Sequence, residues 1–408
     1  MKNKEWNRRE FIVKPILLAG AATVIGRAES LFGNPVNQAA SSAIVQRTLG
    51  KTGITLPVVS MGVMNADIPG LLRRAYELGI RHFDTAAMYQ QGRNEEMVGS
   101  VIKEMGIRDK VVISTKQVSP KHAQNSAEAK KRFIEGVEAS LKRLQMDHVD
   151  ILYHHSVDSV ADAQAEGPLE ALHSLKKDGK TRFLGISTHK TVEVLNEAIR
   201  LNVFDVALVT LNYTMAHDAE MLATIERAAK SGIGMVAMKT QAGGTVRPDR
   251  KLPKELPAVS QSALLKWALN HEFITTAIPG FSTYEHLEQD FSVARSLSYT
   301  NEEERFLADK RFAAQAEFCQ QCGECRQGCP KQADIPLLMR SHMYAVQYRN
   351  AGLARTTLAS TLPGHGLDAC GGCQSCPVTC RNTVQIARKI AELKNLTVGQ
   401  VAAGAATL

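Results

Sequence analysis

Val149-Asp150-Ile151-Leu152-Tyr153-His154-His155 is the stretch on which the fold turns. Ile151, Leu152 and Tyr153 are consecutive apolar residues rather than alternating ones, as in a strand buried on both faces of a parallel sheet. A helical pattern, Ala127–Leu144, precedes it and another, Leu169–Lys177, follows it. Working outward, the same strand–helix rhythm recurs over residues 44–315. The predicted strands are Val58–Val63, His82–Thr85, Val111–Lys116, Val149–His155, Phe183–Ser187, Val206–Leu211, Gly234–Lys239 and Thr275–Pro279. Gly79, Gly179 and Gly232 stand where helix C-caps are needed. Strand–helix pairs of this number and spacing predict an α/β fold, a (β/α)8 TIM barrel. A doubly wound sheet is the competing fold, and no G-x-G-x-x-G follows the first strand to support it.

In such a barrel the chemistry lies at the C-terminal ends of the strands. Asp84 ends the second predicted strand and Tyr89 follows in its loop; Lys116 ends the third and His155 the fourth. With a side-chain period of two, Val112, Ser114 and Lys116 share one face, as do Val149, Ile151, Tyr153 and His155. His154 then points the other way, as a packed histidine between strand and helix. Four ionisable groups are thereby expected at one mouth.

These residues resemble the aldo-keto reductase family. The likeness rests on Arg47-Thr48-Leu49-Gly50-Lys51-Thr52-Gly53, on Phe83-Asp84-Thr85-Ala86-x-x-Tyr89-x-x-Gly92-x-x-Glu95-Glu96, and on Ser114-Thr115-Lys116. Asp150-x4-His155, Gly185-Ile186-Ser187 and Ile278-Pro279-Gly280 complete it. The resemblance implies a hairpin at Arg47–Gly53 that plugs the barrel floor and a catalytic tetrad of Asp84, Tyr89, Lys116 and His155. Carbonyl reduction needs a hydride and a proton. A tyrosine titrates near 10, and the Lys116 ammonium is expected to lower that value. Asp84 would hold Lys116, and His155 would orient the carbonyl oxygen.

The resemblance also implies an NAD or NADP site. Ser187 and Thr188 take the places that contact the carboxamide. Met238 replaces the aromatic residue that stacks on nicotinamide, with Lys239 next, and Leu208 lies near the place of a glutamine. Gly280 and His286 stand where many members carry a phosphate-binding lysine and arginine, and Gln289 and Asp290 where adenine contacts lie. Without that cationic pair the charge-based preference for NADP is weak.

All eight cysteines lie beyond residue 318, in two similar runs: Cys319-x2-Cys322-x2-Cys325-x3-Cys329 and Cys370-x2-Cys373-x2-Cys376-x3-Cys380. The spacing resembles that of bacterial two-cluster ferredoxins, in which the fourth cysteine of each run ligates the other cluster. That implies two 4Fe–4S clusters, one on Cys319, Cys322, Cys325 and Cys380, the other on Cys370, Cys373, Cys376 and Cys329. Zinc sites or four disulfides are the competing readings; frameworks of disulfides belong mainly to small domains without a core. Residues 316–408 are thus expected to form a helical ferredoxin-like domain with a C-terminal helix, including a helical stretch from Ile335 to Tyr348. Arg381 follows Cys380 where proline is usual, and Pro377 follows Cys376.

Residues 1–43 read as an export signal and linker. Asn7-Arg8-Arg9-Glu10-Phe11-Ile12-Val13-Lys14 resembles a twin-arginine motif, and the apolar stretch Pro15 to Gly26 is too short to span a bilayer. This implies the twin-arginine export machinery as a partner and a periplasmic or membrane-anchored location. The formal charge of +8 is partly this signal and forms no basic block, so no nucleic-acid binding is expected. Three functions are consistent with the whole chain. It is an exported oxidoreductase interconverting a small carbonyl and an alcohol, with the clusters as an electron port to a redox partner protein. Or it is an electron-transfer protein whose barrel is a binding scaffold. Or its clusters are structural.

Overall fold

The computed structural model describes residues 43–120, 123–242, 259–309, 318–348, 350–373 and 375–404. The expected signal segment lies outside the described residues but for its last position, and so does the expected domain boundary near residue 315. Among the described residues no helix is long and apolar enough to cross a membrane.

The chain opens with an antiparallel hairpin, β1 (Gln46–Thr48) and β2 (Thr55–Pro57). Eight parallel strands follow: β3 (Met61–Gly62), β4 (His82–Asp84), β5 (Val112–Val118), β6 (Val149–His155), β7 (Thr181–Thr188), β8 (Val206–Thr210), β9 (Gly234–Met238) and β10 (Thr276–Ala277). They are hydrogen-bonded in sequence order, and bridges from Val59 to Ala277 and from Gly62 to Gly280 close the ring. All eight expected strands are present. The first and last are shorter than their apolar runs, because at the closure the ladder reduces to single bridges.

Alternation along β6 sorts its side chains as the period requires. Ile151 and Tyr153 join the barrel interior with Val206, Leu208, Val236 and Ile278. Leu152 joins the outer layer between strands and helices. Gly185 on β7 is needed for this packing, since a Cβ there would collide with the Tyr153 ring. The hairpin closes the floor of the barrel: Leu49 and Leu56 are fully buried in the interior cluster. At Gly50, with φ +49°, a Cβ would strike the backbone of Gly232 and Gly234, so the approach demands glycine.

The C-terminal module packs its own small core, in which Ala333, Ile335, Leu338, Val384 and Ile390 surround the cysteine loops. The expected helix from Ile335 to Tyr348 is divided. An α-helix spans Ile335–His342 and a π-helical turn spans Met343–Gln347. A helix at Ala351–Ala359 follows, and the last helix spans Ile386–Gly404.

Candidate active site and cysteine cradle

The parallel register of β4 and β5 sets Asp84 beside Ser114, whose hydroxyl donates to Asp84 Oδ2 at 2.6 Å. One more alternation brings Lys116 to the same face. Its ammonium, fully buried, donates to Asp84 Oδ1, to Thr85 O at 2.7 Å and to the Tyr89 hydroxyl at 3.4 Å. Tyr89 opens a tight turn, Tyr89–Gly92, in which Gln90 and Gln91 both have positive φ, 50° and 59°. His155 stands edge-on to the Tyr89 ring at 6.1 Å between centroids. Its buried Nδ1 has no hydrogen-bond partner among the described residues. The four expected residues therefore line one cavity of about 1610 Å³ at the barrel mouth.

Burial dominates the electrostatics. It pushes the Tyr89 hydroxyl well above its usual value, with Asp84, Tyr344 and Tyr348 adding to the shift. This corrects the expectation that Lys116 would lower it. The lysine's own charge is held down by burial, which the attached Asp84 only partly offsets. Burial, with Lys116, His189 and Arg340 nearby, also holds His155 well below the ordinary imidazole range. The site thus presents a protonated phenol and a neutral imidazole at neutral pH. His154 also borders the cavity, but its ring is bonded to the Ser119 hydroxyl at 2.7 Å and packed edge-on against Phe133.

Of the residues expected to hold nucleotide, Ser187, Met238, Lys239, Gly280, His286, Gln289 and Asp290 line the same cavity, as does Leu208. The structure does not bring Thr188 there. It follows Ser187 on β7, points to the opposite side, and its hydroxyl accepts the Lys190 N–H at 2.8 Å. Asp290 is buried and accepts both 2.8 Å contacts from Gln241 Nε2; burial pushes its carboxyl up to about 7. From Gly280 to Asp290 the sequence carries no lysine or arginine.

The C-terminal module forms the opposite side of this cavity, which the sequence reading missed. Arg340 donates to Asp158 Oδ2 at 3.2 Å and stands 2.7 Å from His189 Nδ1. Lys239 Nζ lies 3.2 Å from His189 Nε2 and 3.2 Å from the Tyr344 hydroxyl. A buried polar chain from Asp158 to Tyr344 thus ties module to barrel. The available signal was Arg340, Tyr344 and Tyr348 recurring at four-residue spacing in the stretch Ile335–Tyr348.

None of the eight cysteines is paired in a disulfide. Cys319, Cys322, Cys325 and Cys380 line one cavity of about 690 Å³, and burial pushes the Cys319 thiol up to about 12, with those three sulfurs adding to it. Cys370 feels Cys329, Cys376 and Cys373 in the same way. The foursomes are those expected from cross-ligation. Among the described residues no three His, Cys, Asp or Glu side chains form a site for a single metal ion; the sulfurs stand around a larger space, and such crowded sulfurs suit a cationic cluster. The first foursome abuts the barrel, with Lys190 Nζ donating to Cys322 O at 2.9 Å and Gln320 to Thr214 O at 2.9 Å.

Comparison with known families agrees with this geometry. Residues 63–305 match the model of the aldo/keto reductase family. The chain belongs to that family. Residues 318–385 match a 4Fe-4S dicluster domain. The chain is similar to an L-glyceraldehyde 3-phosphate reductase of Escherichia coli O157:H7, 28% identical over 63% of this chain and 89% of the relative. An L-galactose dehydrogenase of Arabidopsis thaliana is 25% identical over 64% and 92%. Among solved structures, the holo aldo-keto reductase AKR11C1 from Bacillus halodurans shares the fold with a TM-score of 0.54 at 22% identity, over 65% of this chain and 95% of that one. A putative aldo-keto reductase from Pseudomonas aeruginosa gives 0.50 at 26% identity, over 62% and 94%. As an aldo-keto reductase the chain is an NAD(P)-dependent oxidoreductase with an iron–sulfur domain appended.

Proposed function

We propose that this protein interconverts a small carbonyl compound and an alcohol, with Tyr89 as proton donor. The supporting observation is Lys116 Nζ, which contacts Asp84 and reaches the Tyr89 hydroxyl at 3.4 Å. In reduction the Tyr89 O–H proton passes to the carbonyl oxygen, and a phenol held far above neutrality keeps that proton until the oxygen develops charge. Lys116 then donates to the phenolate, Asp84 keeps the lysine in place, and a His155 N–H polarises the carbonyl. Nicotinamide, when bound, supplies or accepts the hydride. Ser187, Met238, Lys239, Gly280, His286, Gln289 and Asp290 would hold it. Thr188 would act only by shaping the Lys190 turn. Without a cationic pair between Gly280 and Asp290, NAD serves as well as NADP.

The two cysteine foursomes would carry two 4Fe–4S clusters. The first lies against the barrel mouth, in favour of an electron port serving a redox partner. The twin-arginine-like motif supports export to the periplasm; replacing Arg8 and Arg9 by lysine would then retain the protein in the cytoplasm. Tyr89→Phe should lower kcat by about 10²- to 10⁴-fold without weakening NADH binding. Carbonyl turnover undiminished in that variant would exclude Tyr89 as the donor.

A further inference from the structure

The wall facing the tetrad belongs to the iron–sulfur module. After the helix Ile335–His342 the π-helical turn adds a residue and redirects the side chains that follow. Tyr344, 8% exposed, comes to lie over the cavity, held by its bond to Lys239 and tilted against the Tyr348 ring at 5.8 Å. Both rings pack with Met64, Met88 and Tyr89 in one apolar cluster. They are close enough to Tyr89 that their hydroxyls add to its pKa shift. Asn350 anchors the segment from both sides: its Nδ2 donates to Asn65 Oδ1 at 3.3 Å, and its Oδ1 accepts the Leu353 N–H at 2.9 Å, capping the helix Ala351–Ala359.

The size of the space is informative. At about 1610 Å³ it exceeds the roughly 300–1,000 Å³ of sites that enclose one drug-sized ligand, so a nucleotide along Met238 to Asp290 leaves substantial room in front of Tyr89. That room is bounded by two phenol rings and two thioethers, surfaces suited to a flat or bulky apolar group. We propose that Tyr344 and Tyr348 are specificity-determining residues of the reductase site, selecting a carbonyl compound that carries a ring-sized body beyond its reactive carbon. This rests on the carbonyl-reductase reading above and adds that the iron–sulfur module chooses the substrate.

The test uses the full-length protein loaded with its clusters. Tyr344→Ala, Tyr344→Phe and Tyr348→Ala are compared with the parent, each first checked for parental iron content. Calorimetry measures 4-nitrobenzyl alcohol binding with NADH present, a pairing that cannot turn over, and with NADH absent. Each alanine variant should bind the alcohol about tenfold more weakly, while Tyr344→Phe, which keeps the ring, should change it less than about threefold. The ratio of kcat/KM for 4-nitrobenzaldehyde over glyceraldehyde should fall about tenfold in Tyr348→Ala. A ratio and an alcohol affinity both within about twofold of the parent would overturn the proposal. Should Tyr344→Ala lose its iron, Tyr348→Ala carries the test. Should the parent fail to bind NADH, the nicotinamide reading falls, and the nucleotide-free alcohol titration still decides whether the two rings form a binding wall.

Discussion

Replacing Arg340 by methionine should loosen the module from the barrel by a measurable amount. Arg340 is 9% exposed and contacts Asp158 at 3.2 Å. At that distance and an effective dielectric near 20, the attraction is about 5 kcal/mol. Asp158 is 29% exposed, so solvent screens part of this, and removing one partner should cost about 2–3 kcal/mol. That corresponds to about a 30- to 150-fold rise in the opening constant of the segment Ile335–Gln347. Hydrogen exchange read by mass spectrometry on the iron-loaded protein measures it directly. The effect should also depend on pH. Burial alone would push Asp158 up, but the Arg340 charge together with the contacts from His189 outweighs it and holds the carboxyl below its ordinary range. In the parent, Asp158 therefore contributes stability above the ordinary carboxylate pKa and loses it as pH falls. In Arg340→Met the burial cost and the His189 N–H bond at 3.2 Å remain, so the carboxyl titrates higher than in the parent; the deficit should be largest at neutral pH and shrink as pH falls below the ordinary carboxylate range. Exchange changing less than twofold, or a deficit that grows in acid, would refute the assignment of this pair as the anchor.

Other measurements test separate parts of the structure. Cross-ligation requires that Cys319→Ser and Cys380→Ser leave the same residual EPR spectrum, distinct from the one shared by Cys329→Ser and Cys370→Ser; a match between Cys319→Ser and Cys329→Ser would show that each run holds its own cluster. Asp290, 4% exposed and pushed up to about 7 by burial, binds its proton more tightly folded than unfolded, so stability should fall as pH rises from about 4 to 7. Asp290→Asn should remove that slope and raise stability at pH 8 relative to pH 5, by at most about 3 kcal/mol; parallel Tm-against-pH curves for parent and variant would contradict the buried-carboxylate reading.

The strands were legible because a buried parallel strand carries apolar residues on both faces, as at Ile151, Leu152 and Tyr153, and Val149–His155 appears with unchanged bounds. The convergence of Asp84, Lys116 and His155 at one mouth was legible because each ends a strand and period two sets its face. The direction of the Tyr89 shift was not. It depends on burial beneath Tyr344 and Tyr348, residues that no local pattern connects to a barrel loop. The contact between Arg340 and His189 spans 151 positions, and in sequence Arg340 reads only as a polar residue on an apolar helix. The break at Met343 was hidden for a related reason: its residues favour continuing the helix, and the need to face a cavity elsewhere in the chain overrides them. Thr188 illustrates the limit of transfer by likeness, since it is turned to the side of β7 opposite Ser187 and its hydroxyl accepts the Lys190 N–H.

The crossed arrangement of the cysteines has a bearing on assembly. Cys380 stands with the first run and Cys329 with the second, so neither foursome is complete until nearly the whole module has left the ribosome. By then residues 63–305 are long synthesised, and the barrel can close first and wait. Each foursome also fastens a long loop, whose ends lose freedom only at the moment of closure. Tyr344 and Tyr348 sit on the stretch between the two runs and would be fixed by that late step. Iron supply would then govern the shape of a pocket that contains no iron itself. Molecules made during iron scarcity would carry a finished barrel with an unfinished rim.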